Sequence, residues 1–213
     1  ALSSTYTVAA LISQGNGIVR NFETVVAEIL HLYPGVVELA IAPSGIIQQV
    51  APLLGNEKAL GLNLFEATNQ NKESFIARDT GKLTLAGPLE LVQGGIGLVG
   101  RLPVYLDKNL TKSQTFWGLA LAVIQIEHLV NKAKTLKLEQ EYAYEIWRIH
   151  PDTKIKQVIL QSTKPLLNNP IDHAFEVPNG EWTISMTPIE GWGEGGYLFL
   201  FRESIAIIFS LLL

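Results

Sequence analysis

The stretch ESFIARDTGKLTLAGPLELVQGGIGLVGRLPVYL, Glu73 to Leu106, sets the reading of the whole chain. It opens in a polar segment, Asn69 to Asp79, with Phe75, Ile76 and Ala77 embedded in it, which reads as a short helix. Two apolar runs rich in branched residues follow, LTLAGPLELV (Leu83 to Val92) and IGLVGRLPVYL (Ile96 to Leu106), parted by turn residues as sheet strands are. Across the junction, Gly95-Ile96-Gly97-Leu98-Val99-Gly100 matches the dinucleotide fingerprint letter for letter. That motif holds a pyrophosphate only when a helix N-terminus follows it. Pro103 and the Val104-Tyr105 pair continue a strand instead, so the glycines read as a turn into a strand with room for something packed beside it. Arg78 follows the apolar trio and is partly buried if that helix packs inward; a salt bridge with Asp79 or a glutamate elsewhere is then expected ahead of a ligand contact.

Working outward toward the C-terminus, TFWGLALAVIQI (Thr115 to Ile126) is a third long strand run. The pattern then turns helical, with Ile126, Leu129, Val130 and Ala133 on one face. Lys132 to Glu141 is the most charged stretch and a plausible boundary. A second strand set lies beyond it: YAYEIWRI, KQVILQS, HAFEV, EWTISMTPI and YLFLF, with Asn179-Gly180 as a hairpin turn. Toward the N-terminus, VVELAIA (Val36 to Ala42) and GIIQQV (Gly45 to Val50) read as a strand pair. Before them, Ser3 to Tyr33 is helical, with Ile18, Phe22, Val25, Ile29 and Tyr33 on one face and Pro34-Gly35 as its stop. Gly15 and Gly17 around Asn16 either mark a close packing contact in that helix or break it.

Composition narrows the function. The 213 residues are 47% hydrophobic and 17% charged, which makes the chain globular, and a net charge of −4 argues against nucleic acid as a partner. Without cysteine there are no disulfides or thiolate metal sites. Histidines 31, 128, 150 and 173 have no ligand spacing, and no nucleophile elbow or paired acid set stands out, so neither metal, cofactor nor catalysis is expected. Asn109-Leu110-Thr111 is a glycosylation sequon, of weight only in a eukaryotic secretory setting. The N-terminus lacks the basic start and apolar core of a signal peptide. The closing SIAIIFSLLL, Ser204 to Leu213, is uncharged and reads either as the first half of a membrane helix or as a buried C-terminal strand or helix.

The central block resembles the CHASE domain, an extracytoplasmic sensor of histidine kinases, nucleotide cyclases and diguanylate cyclases. The resemblance rests on Ala77-Arg78, Gly81, Pro88, Gly97 and Pro103-Val104-Tyr105. It continues more loosely through Tyr33-Pro34-Gly35, Trp117 to Leu129 and VPNGEW ahead of Gly191-Trp192. It implies an α+β fold: a long N-terminal helix (1–35), a membrane-distal PAS-like antiparallel-sheet lobe (36–138) and a membrane-proximal one (139–203), with a membrane helix starting at 204–213. It also implies a periplasmic domain of a bacterial receptor, flanked by membrane helices, that binds a small molecule in the distal lobe.

Plant cytokinin receptors of this family use an aspartate where this chain has Asn63 and a threonine where it has Ala86, so an adenine-type ligand is not implied. The candidate lining is Asn63, Phe65, Ala86, Pro88, Leu89, Leu98, Gly100 and Leu102, with plain core packing as the alternative for its apolar members. A rival reading is a ligand-free module that dimerises through the Ile18, Phe22, Val25, Ile29 stripe and answers to a protein partner.

Overall fold

The computed structural model describes residues 1–66, 71–107, 114–135, 138–164 and 169–192. The YLFLF strand, the sequon and the Ser204 to Leu213 segment lie outside them. The fold is α+β, with two antiparallel sheets in two compact units that divide between Gln125 and Ile126.

The long N-terminal helix is corrected to two helices of 11 residues, α1 (Ser4–Gln14) and α2 (Phe22–Leu32). The Gly15-Asn16-Gly17 segment breaks it. Asn16 and Gly17 take left-handed backbone (φ 49° and 89°), and Gly17 N–H reaches back to Ile12 O at 2.8 Å, closing α1. A Cβ on Gly17 would stand 2.5 Å from Trp117 Nε1, so the break is also a close packing contact. Asn21, again left-handed at φ 51°, starts α2. Phe22, Val26 and Ile29 are buried in the fold, while Ile18 in the break is 66% exposed. The stripe read as one helical face is therefore split, and two of its members are spent inside the unit.

The first unit is a five-stranded sheet of order β2-β1-β5-β4-β3, built from β1 (Val36–Pro43), β2 (Gln49–Ala51), β3 (Thr84–Glu90), β4 (Ile96–Asp107) and β5 (Gln114–Gln125). Every neighbouring pair is antiparallel. The GIIQQV run is mostly turn, and only its end enters β2. The Gly-rich fingerprint does lead into a strand, β4. A bulge at Gly87-Pro88 puts one extra residue in β3, because Ala86 pairs with Val99 and Leu89 with Gly97. α1 packs against β4 and β5, whereas α3 (Lys72–Thr80) packs against β3 and β4 from the side of Arg101.

The second unit opens with α4 (Ile126–Thr135) and α5 (Leu138–Glu141). Its sheet has the order β7-β6-β9-β8, from β6 (Tyr142–Ile149), β7 (Lys156–Gln161), β8 (Ile171–Val177) and β9 (Gly180–Pro188). The Asn179-Gly180 turn closes the β8-β9 hairpin as its sequence implies, with Val177 paired to Gly180. Trp182, Ile184 and Met186 recur at every second position of β9 and are all buried.

Candidate functional site

Register decides which side chains share a face. Residues directly opposite on paired strands point to the same side, as do residues two apart on one strand. Glu38 on β1 pairs with Val123 on β5, which pairs with Val99 on β4; Ala40, Leu121 and Arg101 form the next row. Both rows therefore look out of one face of the sheet. They form the floor of a cavity of about 90 Å³, roofed by Ile47, Ala59, Leu62 and Leu64 from the segment after β1 and walled by Leu89 to Gln93 after the bulge. Leu62 and Val92, 36% and 43% exposed, mark its mouth.

Besides the exposed Glu90, two buried ionisable side chains line this apolar space, each held differently. Glu38 is 2% exposed, and its Oε2 accepts a hydrogen bond from Gln93 Nε2 at 2.5 Å. Burial pushes its carboxyl up to about 7, with the Gln93 amide opposing that rise. Arg101 is 3% exposed, and its Nη1 donates to Ser74 Oγ of α3 at 2.8 Å. Burial pulls the guanidinium down to about 10, against the field of Glu73. Glu38 and Arg101 stand two strands apart, roughly 10 Å across the sheet, Glu38 held by Gln93 and Arg101 by Ser74 within the field of Glu73. Such an arrangement gives an apolar pocket a hydrogen-bonding carboxyl on one side and a planar five-donor cation on the other.

The structure sorts the sequence-derived lining into two sets. Leu89 lines the cavity, and Ala86, fully buried, lies on the same face through its pairing with Val99. Pro88 sits in the bulge between them. Asn63 lies between two roof residues, and its side-chain oxygen accepts the Phe65 N–H at 3.0 Å, holding the turn. Phe65 packs edge-on to Phe75 and Phe116 at 5.2 and 5.8 Å, beside the cavity core. Leu98, Gly100 and Leu102 alternate with Val99 and Arg101 and so occupy the other face. There a Cβ on Gly100 would meet Leu2 at 2.7 Å, under α1.

Sequence reasoning passed over Glu38, Gln93 and Arg101. The signal available was one charge inside each apolar run, VVELAIA and IGLVGRLPVYL. Arg78 pairs with Asp79 (Nε to Oδ1, 2.7 Å) as the sequence favoured, but both are substantially exposed, and its guanidinium also lies over the Phe65 and Phe75 rings at 5.1 and 5.2 Å. Among the described residues no group of three or more acidic or histidine side chains is placed to hold a metal, and no helix is long and apolar enough to cross a membrane.

An extracellular ligand binding receptor from Desulfohalobium retbaense DSM5692 overlays with a TM-score of 0.63 at 11% identity, over 87% of this chain and 36% of that one. This chain thus spans little more than a third of that receptor. Methyl-accepting Chemotaxis protein X overlays at 0.53 with 11% identity, over 88% of this chain and 89% of the other. The ligand binding domain of the Pseudomonas aeruginosa PAO1 amino acid chemoreceptor PctC, in complex with GABA, reaches 0.44 with 15% identity, over 86% and 89%. The first two overlays show a shared fold. No curated protein matches the chain. The CHASE domain model matches residues 22–157. That is more than half of the 213 residues, and the chain belongs to the CHASE domain family.

Proposed function

We propose that this chain is an extracytoplasmic ligand-sensing domain of a membrane signal-transduction receptor, and that its five-stranded unit takes a small molecule in the cavity floored by β1, β5 and β4. The single observation that carries the reading is a mostly apolar cavity with two buried ionisable side chains, Glu38 and Arg101, on one face of the sheet. Core packing alone seldom buries such groups, because each costs several kcal/mol of hydration. The 2-1-5-4-3 strand order supports a PAS-like distal lobe, and the four-stranded unit serves as the membrane-proximal one. Asn63, Phe65, Ala86, Pro88 and Leu89 belong to this site as roof, bulge and wall, with Leu98, Gly100 and Leu102 beneath the sheet. The output, a histidine kinase or diguanylate cyclase, and the flanking membrane helices belong to the parent protein.

Ligand binding acts on such an output only through a difference in affinity between two states of the domain. Dimerisation through the N-terminal stripe is the weaker reading, since Phe22 and Ile29 are buried within the unit itself. Native mass spectrometry of the purified chain tests the proposal. A small molecule that is released on denaturation, and excluded by Leu62→Trp at the cavity mouth, supports it. Wild-type protein that carries nothing and shows no thermal shift with any soluble metabolite rejects it.

A further inference from the structure

We propose that the ligand is a small amphoteric molecule whose ammonium group meets Glu38 and whose carboxylate meets Arg101, with a short apolar middle lying over Leu121 and Val123. This rests on the sensor reading and narrows it to a ligand class.

Four observations converge on it. Glu38 is buried with a neutral amide as its hydrogen-bond partner, and among the described residues no cation is paired with its carboxylate. A ligand ammonium supplies that charge, and a charge-assisted hydrogen bond is stronger than a neutral one. Arg101 lines the same cavity, and its planar fork matches a carboxylate, with the Ser74 contact fixing its direction. The register then sets the spacing: Glu38 and Arg101 occupy adjacent rows on opposite sides of β5. The strand between them offers only Leu121 and Val123 to the cavity, a floor suited to methylene groups. Finally, a volume of about 90 Å³ favours a molecule of few heavy atoms over a bicyclic base. The upward shift of the Glu38 carboxyl agrees with a site that waits for a cation.

The alternative for these two residues is a buried structural ion pair. Their separation across an intervening strand speaks against it.

The test uses the whole chain and a series of unbranched ω-amino acids of graded length together with α-amino acids. Matched alkylamines and alkanoates are the single-ended controls, and binding is read by calorimetry and thermal shift. An amphoteric probe of one preferred length should bind, with each single-ended control weaker by about tenfold or more. Glu38→Gln should weaken the amphoteric probe about 10- to 100-fold, to the level of its matched alkanoate, and Arg101→Lys should level it with the alkylamine. Glu38→Gln keeps an acceptor for Gln93, and a cooperative melting curve of the variant makes its binding result readable.

The proposal is overturned if no amphoteric probe binds, or if one binds wild type and Glu38→Gln equally. Failure of this kind leaves the sensor reading standing when another metabolite still binds and Leu62→Trp excludes it. If nothing binds the wild-type chain at all, the sensor reading falls with it.

Discussion

The cavity face of the five-stranded sheet is tiled with Ala40, Ala42, Ala86, Val99, Leu121 and Val123, whereas the buried positions of the four-stranded sheet hold Tyr144, Ile184, Met186 and Trp182. Small side chains on a sheet floor leave volume between it and its roof, and polar groups can then look into that volume. Large ones consume it. The polar groups of the two sheets follow suit. In the second unit Trp147 Nε1 donates to Ser185 Oγ (2.7 Å) and Ser185 Oγ to Asp172 Oδ1 (2.6 Å), a chain that runs across the sheet to an exposed carboxylate. In the first unit Glu38 is held by Gln93, Arg101 is anchored on Ser74, and both line the cavity. One sheet is built to be filled by its own residues, the other to keep space.

The largest expected effect breaks the filled sheet. Trp182 is 2% exposed and stands edge-on to Phe175 with ring centres 6.3 Å apart. Trp182→Ala should cost about 3–5 kcal/mol, seen in urea titration as early unfolding of the second unit. A loss below about 1 kcal/mol would mean that this sheet is not held by its rings.

The next prediction sharpens the other half of the comparison. The Glu38 carboxyl is raised from 4.5 to about 7, so the folded chain holds its proton more tightly than the unfolded one. Its contribution is whole below pH 4.5 and is lost as pH rises through about 7. Glu38→Gln removes the titrating group. The variant should match wild type near pH 4.5 and exceed it in stability by up to about 3 kcal/mol above neutrality. Denaturant titrations across that range check it; a wild-type advantage at alkaline pH would show that Glu38 is charged and well paired in the fold.

A smaller effect is expected at the roof. Gly45 has φ +86°, and a Cβ there would lie 2.2 Å from the Phe65 ring. Its carbonyl also accepts the N–H of Leu64, a roof residue, at 2.8 Å. Gly45→Ala should cost about 1–3 kcal/mol and weaken ligand binding as Leu64 shifts. Unchanged melting and unchanged binding would detach this turn from the cavity.

Much of this was legible in the chain. Alternation, turn residues and the Asn179-Gly180 hairpin give the strands, because each is a local property with a fixed period. The break at Gly15-Asn16-Gly17 was visible as an alternative but not decided, since a glycine in a helix costs only about 1 kcal/mol and tertiary packing settles the matter. Here the Trp117 ring did so. The site was harder. β4 is apolar on both faces, one under α1 and the other under the cavity roof, so alternation cannot tell Leu98, Gly100 and Leu102 from Val99. The one asymmetric mark on that strand is Arg101, and on β1 it is Glu38. A lone charge within an apolar strand was the readable sign of the cavity face.

The smallest effect concerns a carboxyl in the opposite situation to Glu38. Asp79 accepts from Arg78 Nε at 2.7 Å, and that hydrogen bond holds it below the usual aspartate range. Its own contribution is therefore present above that range and lost in acid, the reverse of Glu38. Yet the two side chains are 61% and 39% exposed, where water and salt screen the pair. Arg78 has other anchors: its guanidinium rests on the Phe65 and Phe75 rings, and its carbonyl accepts the Tyr105 hydroxyl. Asp79→Asn should leave the melting temperature unchanged at low and high salt, and leave ligand binding unchanged as well. A clear drop at low salt that vanishes at high salt would assign the pair a structural role, and the contrast between buried and exposed carboxyls would have to be redrawn.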